Sequence, residues 1–65
     1  MNYSLLKKLR KSLGLSQEQV ANQIGLTKFV YSKYECGKCI PPIDTLIKIA
    51  TLYEVNVYEF FSNPL

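Results

Sequence analysis

Apolar residues recur along this chain at helical intervals of three and four, and a glycine closes three of the runs, at Gly14, Gly25 and Gly37. Leu5, Leu6, Leu9 and Leu13 precede Gly14 and predict a first helix. Asn2 or Ser4 is its expected cap, and Lys7, Lys8 and Lys11 lie mostly off its apolar face. "LSQEQVANQIG" follows. Ser16 with Gln19 makes a capping box, and Val20, Ala21 and Ile24 make a buried stripe, so a second helix is predicted over 17–24.

In "LTKFVYSKYECG", Thr27 suits the cap of a third helix running from Lys28 to Glu35 or Cys36. Tyr31 and Tyr34 share one face with Val30 beside them; Lys28, Phe29, Ser32 and Lys33 lie toward the other. The double proline Pro41-Pro42 suits a helix start, and Ile43, Leu46, Ile47, Ala50 and Tyr53 predict a fourth helix over 42–53. Asn56 and Glu59 form a second capping-box pattern, placing a fifth helix over 57–62, before Pro64. No segment alternates strictly, as a strand would. The expected fold is an all-α bundle of five short helices, a single domain over residues 1–65.

Composition narrows the class. About half of the 65 residues are apolar, so the chain is expected to be globular; at this length it buries only roughly 60% of its unfolded surface. No apolar run approaches the roughly 20 residues that span a bilayer, and "MNYSLLKKLR" lacks the order of a secretory signal, so a cytoplasmic protein is expected. The net charge of +3 divides into +5 over residues 1–40 and −2 over residues 41–65. A basic first part is expected to face a polyanion.

Catalysis is expected to be absent. The chain has no His and Asp44 is its only Asp, so neither a Ser/His/Asp nor a Cys/His set can be assembled. Its glycines are dispersed, unlike a phosphate loop. Cys36 and Cys39 bracket Gly37-Lys38. Structural zinc takes four ligands, and the chain offers two thiols. Reactive CxxC pairs sit at a helix start, whereas Cys36 falls at a helix end, where the dipole opposes a thiolate. The pair is expected to be part of a turn, with no metal or cofactor; an oxidant- or zinc-sensing role, the zinc shared between two chains, is the competing reading.

The segment around "IGLT" carries the function. A short helix, a turn opened by Gly25 and a second helix with one apolar and one polar face make a helix-turn-helix pattern, here over about residues 16–36. The second helix of such a pair fits a major groove about 12 Å wide.

With those landmarks in place, the chain resembles the phage-repressor-like helix-turn-helix family, the Cro/xenobiotic-response-element type. "LR" at 9–10, "GLSQEQVANQIGLT" at 14–27, "SKYECGKCIPP" at 32–42, "LIKIA" at 46–50 and "VNVYEFF" at 55–61 carry the likeness across nearly the whole chain. The resemblance implies a five-helix lambda-repressor-like domain that binds operator DNA as a dimer. It implies that Gln17, at the start of the first motif helix, bonds a DNA phosphate, as an amide beside free helix N–H groups can. It implies groove-facing roles for Lys28, Phe29, Ser32 and Lys33. A lysine there would donate to guanine O6/N7 or to phosphate, and Phe29 would meet a thymine methyl. Lys38 is expected on a phosphate, with the hydroxyls of Ser16 and Thr27 capping helices beside the backbone. Arg10 and Glu35 match an ion pair that fixes the third helix against the first, more for geometry than for net stability. Tyr31 departs from the family, which commonly has an aliphatic residue there. Its hydroxyl needs a partner or solvent.

The expected function is sequence-specific transcriptional regulation, as a repressor on a (pseudo)palindromic operator. A homodimer would space its half-sites about 34 Å apart. Val57, Tyr58, Phe60, Phe61 and Leu65, within the segment 56–65, offer apolar surface, of which Tyr58, Phe61 and Leu65 are the expected dimer contact; the alternative is that all five close the core. An antitoxin-like protein-binding module and an enzyme are the competing classes. The antitoxin reading is expected to require a separate toxin-binding segment, and the enzyme reading catalytic groups, so both are disfavoured.

Overall fold

The computed structural model describes residues 1–61. It consists of α1 (Ser4–Ser12), α2 (Gln17–Gln23), α3 (Lys28–Glu35), α4 (Ile43–Tyr53) and a final 3-10 turn, Val57–Phe61. The described residues contain no strand.

The local signals explain most of the boundaries. The capping box of α2 is complete: Gln19 N–H donates to Ser16 Oγ at 3.1 Å, and Ser16 N–H donates to Gln19 Oε1 at 2.8 Å. Thr27 Oγ1 accepts from Val30 N–H at 3.3 Å at the start of α3. At the other ends, each α-helix closes with the paired backbone bonds of a Schellman turn. Gly25 and Leu26 return their N–H groups to Asn22 and Ala21 at 3.3 and 2.8 Å. Gly37 and Lys38 return theirs to Tyr34 and Lys33 at 3.3 and 3.0 Å. Such a turn needs one residue in the left-handed region. Gly25 supplies it after α2 with φ 75°, whereas after α4 the non-glycine Glu54 takes it with φ 56°.

Three expectations change at the chain ends. Neither Asn2 nor Ser4 caps α1: Tyr3 holds the cap position without a side-chain bond, and Ser4 Oγ donates to Asn2 Oδ1 at 2.8 Å. Asn2 instead ties the start of the chain to its last turn, its N–H donating to Phe60 O at 2.6 Å. The fifth helix is a 3-10 turn. Asn56 Oδ1 takes the Tyr58 N–H at 2.9 Å as an Asx turn, so the Glu59 N–H goes to the Asn56 carbonyl at 3.0 Å, and no capping box forms. Ser62, the expected last residue of that helix, lies outside the described residues.

The core gathers Leu6 from α1, Val20, Ala21 and Ile24 from α2, Tyr31 and Tyr34 from α3, Leu46, Ile49, Ala50 and Tyr53 from α4, and Phe60. Leu13 is exposed although it continues the α1 stripe, because α1 ends at Ser12. In α4 the spacing contains two stripes. Leu46, Ile49, Ala50 and Tyr53 turn inward, and Ile43 and Ile47 face solvent. Helical periodicity allows either stripe; packing into the shared core, against the last turn and with Tyr53 bonded to Tyr31, selects one.

Candidate nucleic-acid interface

Helices α2 and α3 pack on each other across the turn Gly25-Leu26-Thr27, and α1 packs on α3. The inner face of α3 is buried through Tyr31, Tyr34 and Glu35. Its outer face carries Lys28, Phe29 and Lys33, all exposed, with Ser32 half-buried between them and Val30 at the edge. Phe29 is 81% exposed and takes no part in the core. Ser32 Oγ donates to Phe29 O at 2.9 Å, so the hydroxyl proton is spent within the helix. Lys38 is exposed in the turn that ends α3. Ser16 and Thr27 are exposed too, with their hydroxyls engaged in capping.

Behind this face a polar cluster joins all four helices. Arg10 Nε donates to Glu35 Oε2 at 2.7 Å and Arg10 Nη2 to Glu35 Oε1 at 3.2 Å, a two-pronged pair with side chains only 11% and 3% exposed. Arg10 Nη1 also donates to Leu15 O at 2.9 Å, which fixes the link between α1 and α2. From α2, Gln17 Nε2 donates to Glu35 Oε1 at 3.2 Å. One N–H of the Gln17 amide is thus directed into the fold, and its second remains the candidate phosphate donor. The hydroxyls of Tyr31 and Tyr53 meet at 2.5 Å and connect α3 to α4. Every buried side-chain polar atom among the described residues has a partner.

The charge states follow from these contacts. Burial pushes the Glu35 carboxyl up, but bonds from Arg10, Gln17 and Tyr31 outweigh it and hold the group below its ordinary 4.5. The hydrogen bond to Glu35 raises Arg10 against the opposing effect of burial. Burial raises Tyr31, helped by the bond to Tyr53 and by the Glu35 carboxylate; burial raises Tyr53 as well. The cluster therefore holds one buried cation, one buried anion and two neutral phenols at neutral pH.

Sequence reasoning brought Arg10 and Glu35 together through the resemblance. It left Tyr31 without a named partner and did not connect Gln17 to Glu35. Tyr53 was available as the partner: it ends the inward stripe of α4, and a tyrosine buried there also needs a bond for its hydroxyl.

The other expected site residues divide. Tyr58 and Phe61 are 75% and 50% exposed, Val57 is half-buried, and Phe60 is fully buried, so Phe60 belongs to the core and not to an outer surface. Leu65 lies outside the described residues. Cys36 and Cys39 are both free thiols on the surface. Cys36 caps α3, and Cys39 N–H reaches the Lys33 carbonyl at 3.4 Å, which makes them part of the Schellman turn and its continuation. Among the described residues no group of three His, Cys, Asp or Glu is placed to hold a metal ion. No helix there is long and apolar enough to cross a membrane.

A short capped helix, a glycine turn and a second helix with a buried aromatic face and an exposed basic one define a helix-turn-helix protein. The chain belongs to the helix-turn-helix domain family, whose profile matches residues 3–65. It is 44% identical over 52 residues to an uncharacterized HTH-type transcriptional regulator of Bacillus subtilis, YobD, a match that covers 80% of this chain and 46% of that protein. It is 38% identical over 50 residues to the cryptic phage CTXphi transcriptional repressor RstR of Vibrio cholerae, covering 77% and 45%. It is 41% identical over 59 residues to the HTH-type transcriptional regulator PuuR of Escherichia coli, covering 91% and 32%. The family is that of the phage-repressor-like regulators, and the chain spans about half the length, or less, of these relatives. No solved structure matches it significantly.

Proposed function

We propose that this chain is the sequence-specific DNA-binding domain of a cytoplasmic transcriptional regulator, acting as a repressor, with α3 laid into the major groove of operator DNA. The observation that carries this is the division of α3 into two faces. One is held in the core by Tyr31, Tyr34 and the Glu35 pair; the other leaves Lys28, Phe29 and Lys33 exposed, with Ser32 half-buried between them. A rigid helix with a free, cationic outer face is what a groove admits. Lys28 and Lys33 donate to base edges or phosphate. Lys38, Gln17 and the capped starts at Ser16 and Thr27 meet the backbone, which sets register without reading sequence.

The binding form is a homodimer on a palindromic operator with half-sites about 34 Å apart. Its contact uses Tyr58 and Phe61, which stand out from the last turn, together with Leu65. The repressor role is favoured by the likeness to a relative named as a phage repressor.

Selection from a random duplex pool tests the reading. An enriched, two-fold symmetric sequence is expected, with the log of affinity falling against the log of salt by about 0.9 per phosphate neutralised. A pool that yields no preferred sequence overturns it. Sedimentation as a monomer, both free and on the selected duplex, overturns the dimer.

A further inference from the structure

We infer that the turn Cys36-Gly37-Lys38-Cys39 is a binding site for one cuprous ion, held by the two thiolates. Both thiols are free and exposed, and they flank one left-handed residue, Gly37 at φ 77°. The turn is fixed by two kinds of contact. The N–H groups of Lys38 and Cys39 both return to the Lys33 carbonyl, at 3.0 and 3.4 Å. The Tyr3 ring lies so close to Gly37 that a β-carbon there would stand 2.7 Å from it. Ligands on a turn that is already ordered lose little freedom on taking an ion. Beside the turn, Met1 and Cys39 line one cavity of about 180 Å³, with Tyr3, Gly37 and Ile40 as its other walls. A thioether side chain therefore shares a small space with one of the two thiols.

The donor set selects the ion. Structural zinc takes four ligands, and calcium and magnesium take oxygen. Among the described residues no group of three His, Cys, Asp or Glu forms around the pair. The adjoining carboxylate, Glu35, is taken by Arg10, with its side chain 3% exposed. What remains is soft sulfur, the chemistry that selects Cu(I). A cuprous ion is satisfied by two thiolates and accepts a thioether as a third ligand. As it binds, each thiol forms an S–Cu bond and releases its proton to water, and copper stays Cu(I) throughout. The site thereby gains one negative charge. The end of α3 tolerates that charge, because the Lys33 and Tyr34 carbonyls are already occupied by amides of the turn. Lys38, exposed between the two ligands, supplies the countercharge. Resting on the DNA-binding reading above, the same attraction draws Lys38 away from phosphate, so the loaded chain holds operator DNA less tightly.

Titration of the reduced chain with Cu(I), under nitrogen and against bicinchoninate as competing chelator, tests the site. One ion per chain is expected, with a sulfur-only shell in X-ray absorption. Cys36→Ser and Cys39→Ser should each lower the affinity by more than about 100-fold, beyond the cost of losing an outer-shell partner. Because both side chains are exposed, both variants should melt with the parent. Loss of all copper to the chelator overturns the site, as does a Cys36→Ser chain that binds like the parent. One zinc or copper ion per two chains overturns it in favour of a site shared between copies. On the selected duplex, one equivalent of Cu(I) should lower the affinity by up to about fivefold, the worth of one exposed charge contact. Lys38→Ala should remove that response. An affinity that copper leaves unchanged overturns the link to DNA and not the site. Failure of the parent to enrich any sequence overturns the DNA-binding reading, and the titration still decides the site.

Discussion

The hydroxyls of Tyr31 and Tyr53 meet at 2.5 Å inside the core, and this bond links α3 with α4. Tyr31→Phe leaves the Tyr53 hydroxyl buried without its partner, at a cost of about 1–3 kcal/mol, whereas Tyr53→Phe leaves the Tyr31 hydroxyl beside the Glu35 carboxylate and should cost less; removing both should cost less than the sum. Tyr31→Phe and Tyr53→Phe should each lower the urea midpoint, and the double variant should lower it by less than the two together. A double variant whose losses simply add would show that the hydroxyls act separately.

The Arg10–Glu35 pair lies largely out of solvent, with side chains 11% and 3% exposed. Arg10→Met leaves an uncompensated carboxylate with a side chain 3% exposed, an expected cost of about 3 kcal/mol. In a domain of this size that is a large share of the total stability. Arg10→Met with Glu35→Leu, which removes both charges, should unfold at higher urea than Arg10→Met alone.

Acid should weaken the fold through Glu35. Its carboxyl is held below 4.5, so the stabilisation is complete above that pH and is lost as pH falls through the lower folded value. The urea midpoint should decline below pH 4.5, and Glu35→Gln, less stable at neutral pH, should show a flatter acid profile.

Alkali should act through the phenols. Tyr31 and Tyr53 are both raised above 10.0, so their contribution is complete below that pH and is lost as pH climbs toward their folded values. In an ultraviolet absorbance titration, Tyr31 and Tyr53 should ionise late, together with unfolding, and the Tyr31→Phe chain should lose one of these late phenols.

Glu54 stands in the left-handed region with φ 56°, where an L side chain is strained. Glu54→Gly should raise the unfolding free energy by about 0.5–1 kcal/mol, read as a higher urea midpoint, the relief of strain exceeding the added freedom of the unfolded chain. Gly25→Ala, at φ 75° with nothing within 4 Å of the added carbon, should cost about 1 kcal/mol from backbone strain alone.

The helices were legible because their signals are local. Ser16 and Gln19 cap α2 within one turn, and Gly25 and Gly37 end α2 and α3 through bonds that span a few residues. The polar face of α3 was equally plain from spacing. The end of the chain was less so, because Asn56 with Glu59 suits both a capping box and the Asx turn that forms.

What the sequence determined by itself was the order and polarity of the helices and the class of surface that α3 presents. Only the packed structure decided which stripe of α4 turns inward, that Gln17 bonds Glu35, and that Tyr31 finds Tyr53. Caps and periodicity act over a single turn. The Tyr31 and Tyr53 hydroxyls are 22 positions apart, and Arg10 is 25 from Glu35. Among several candidates of the right chemistry, the choice of partner belongs to whichever arrangement buries the apolar stripes together.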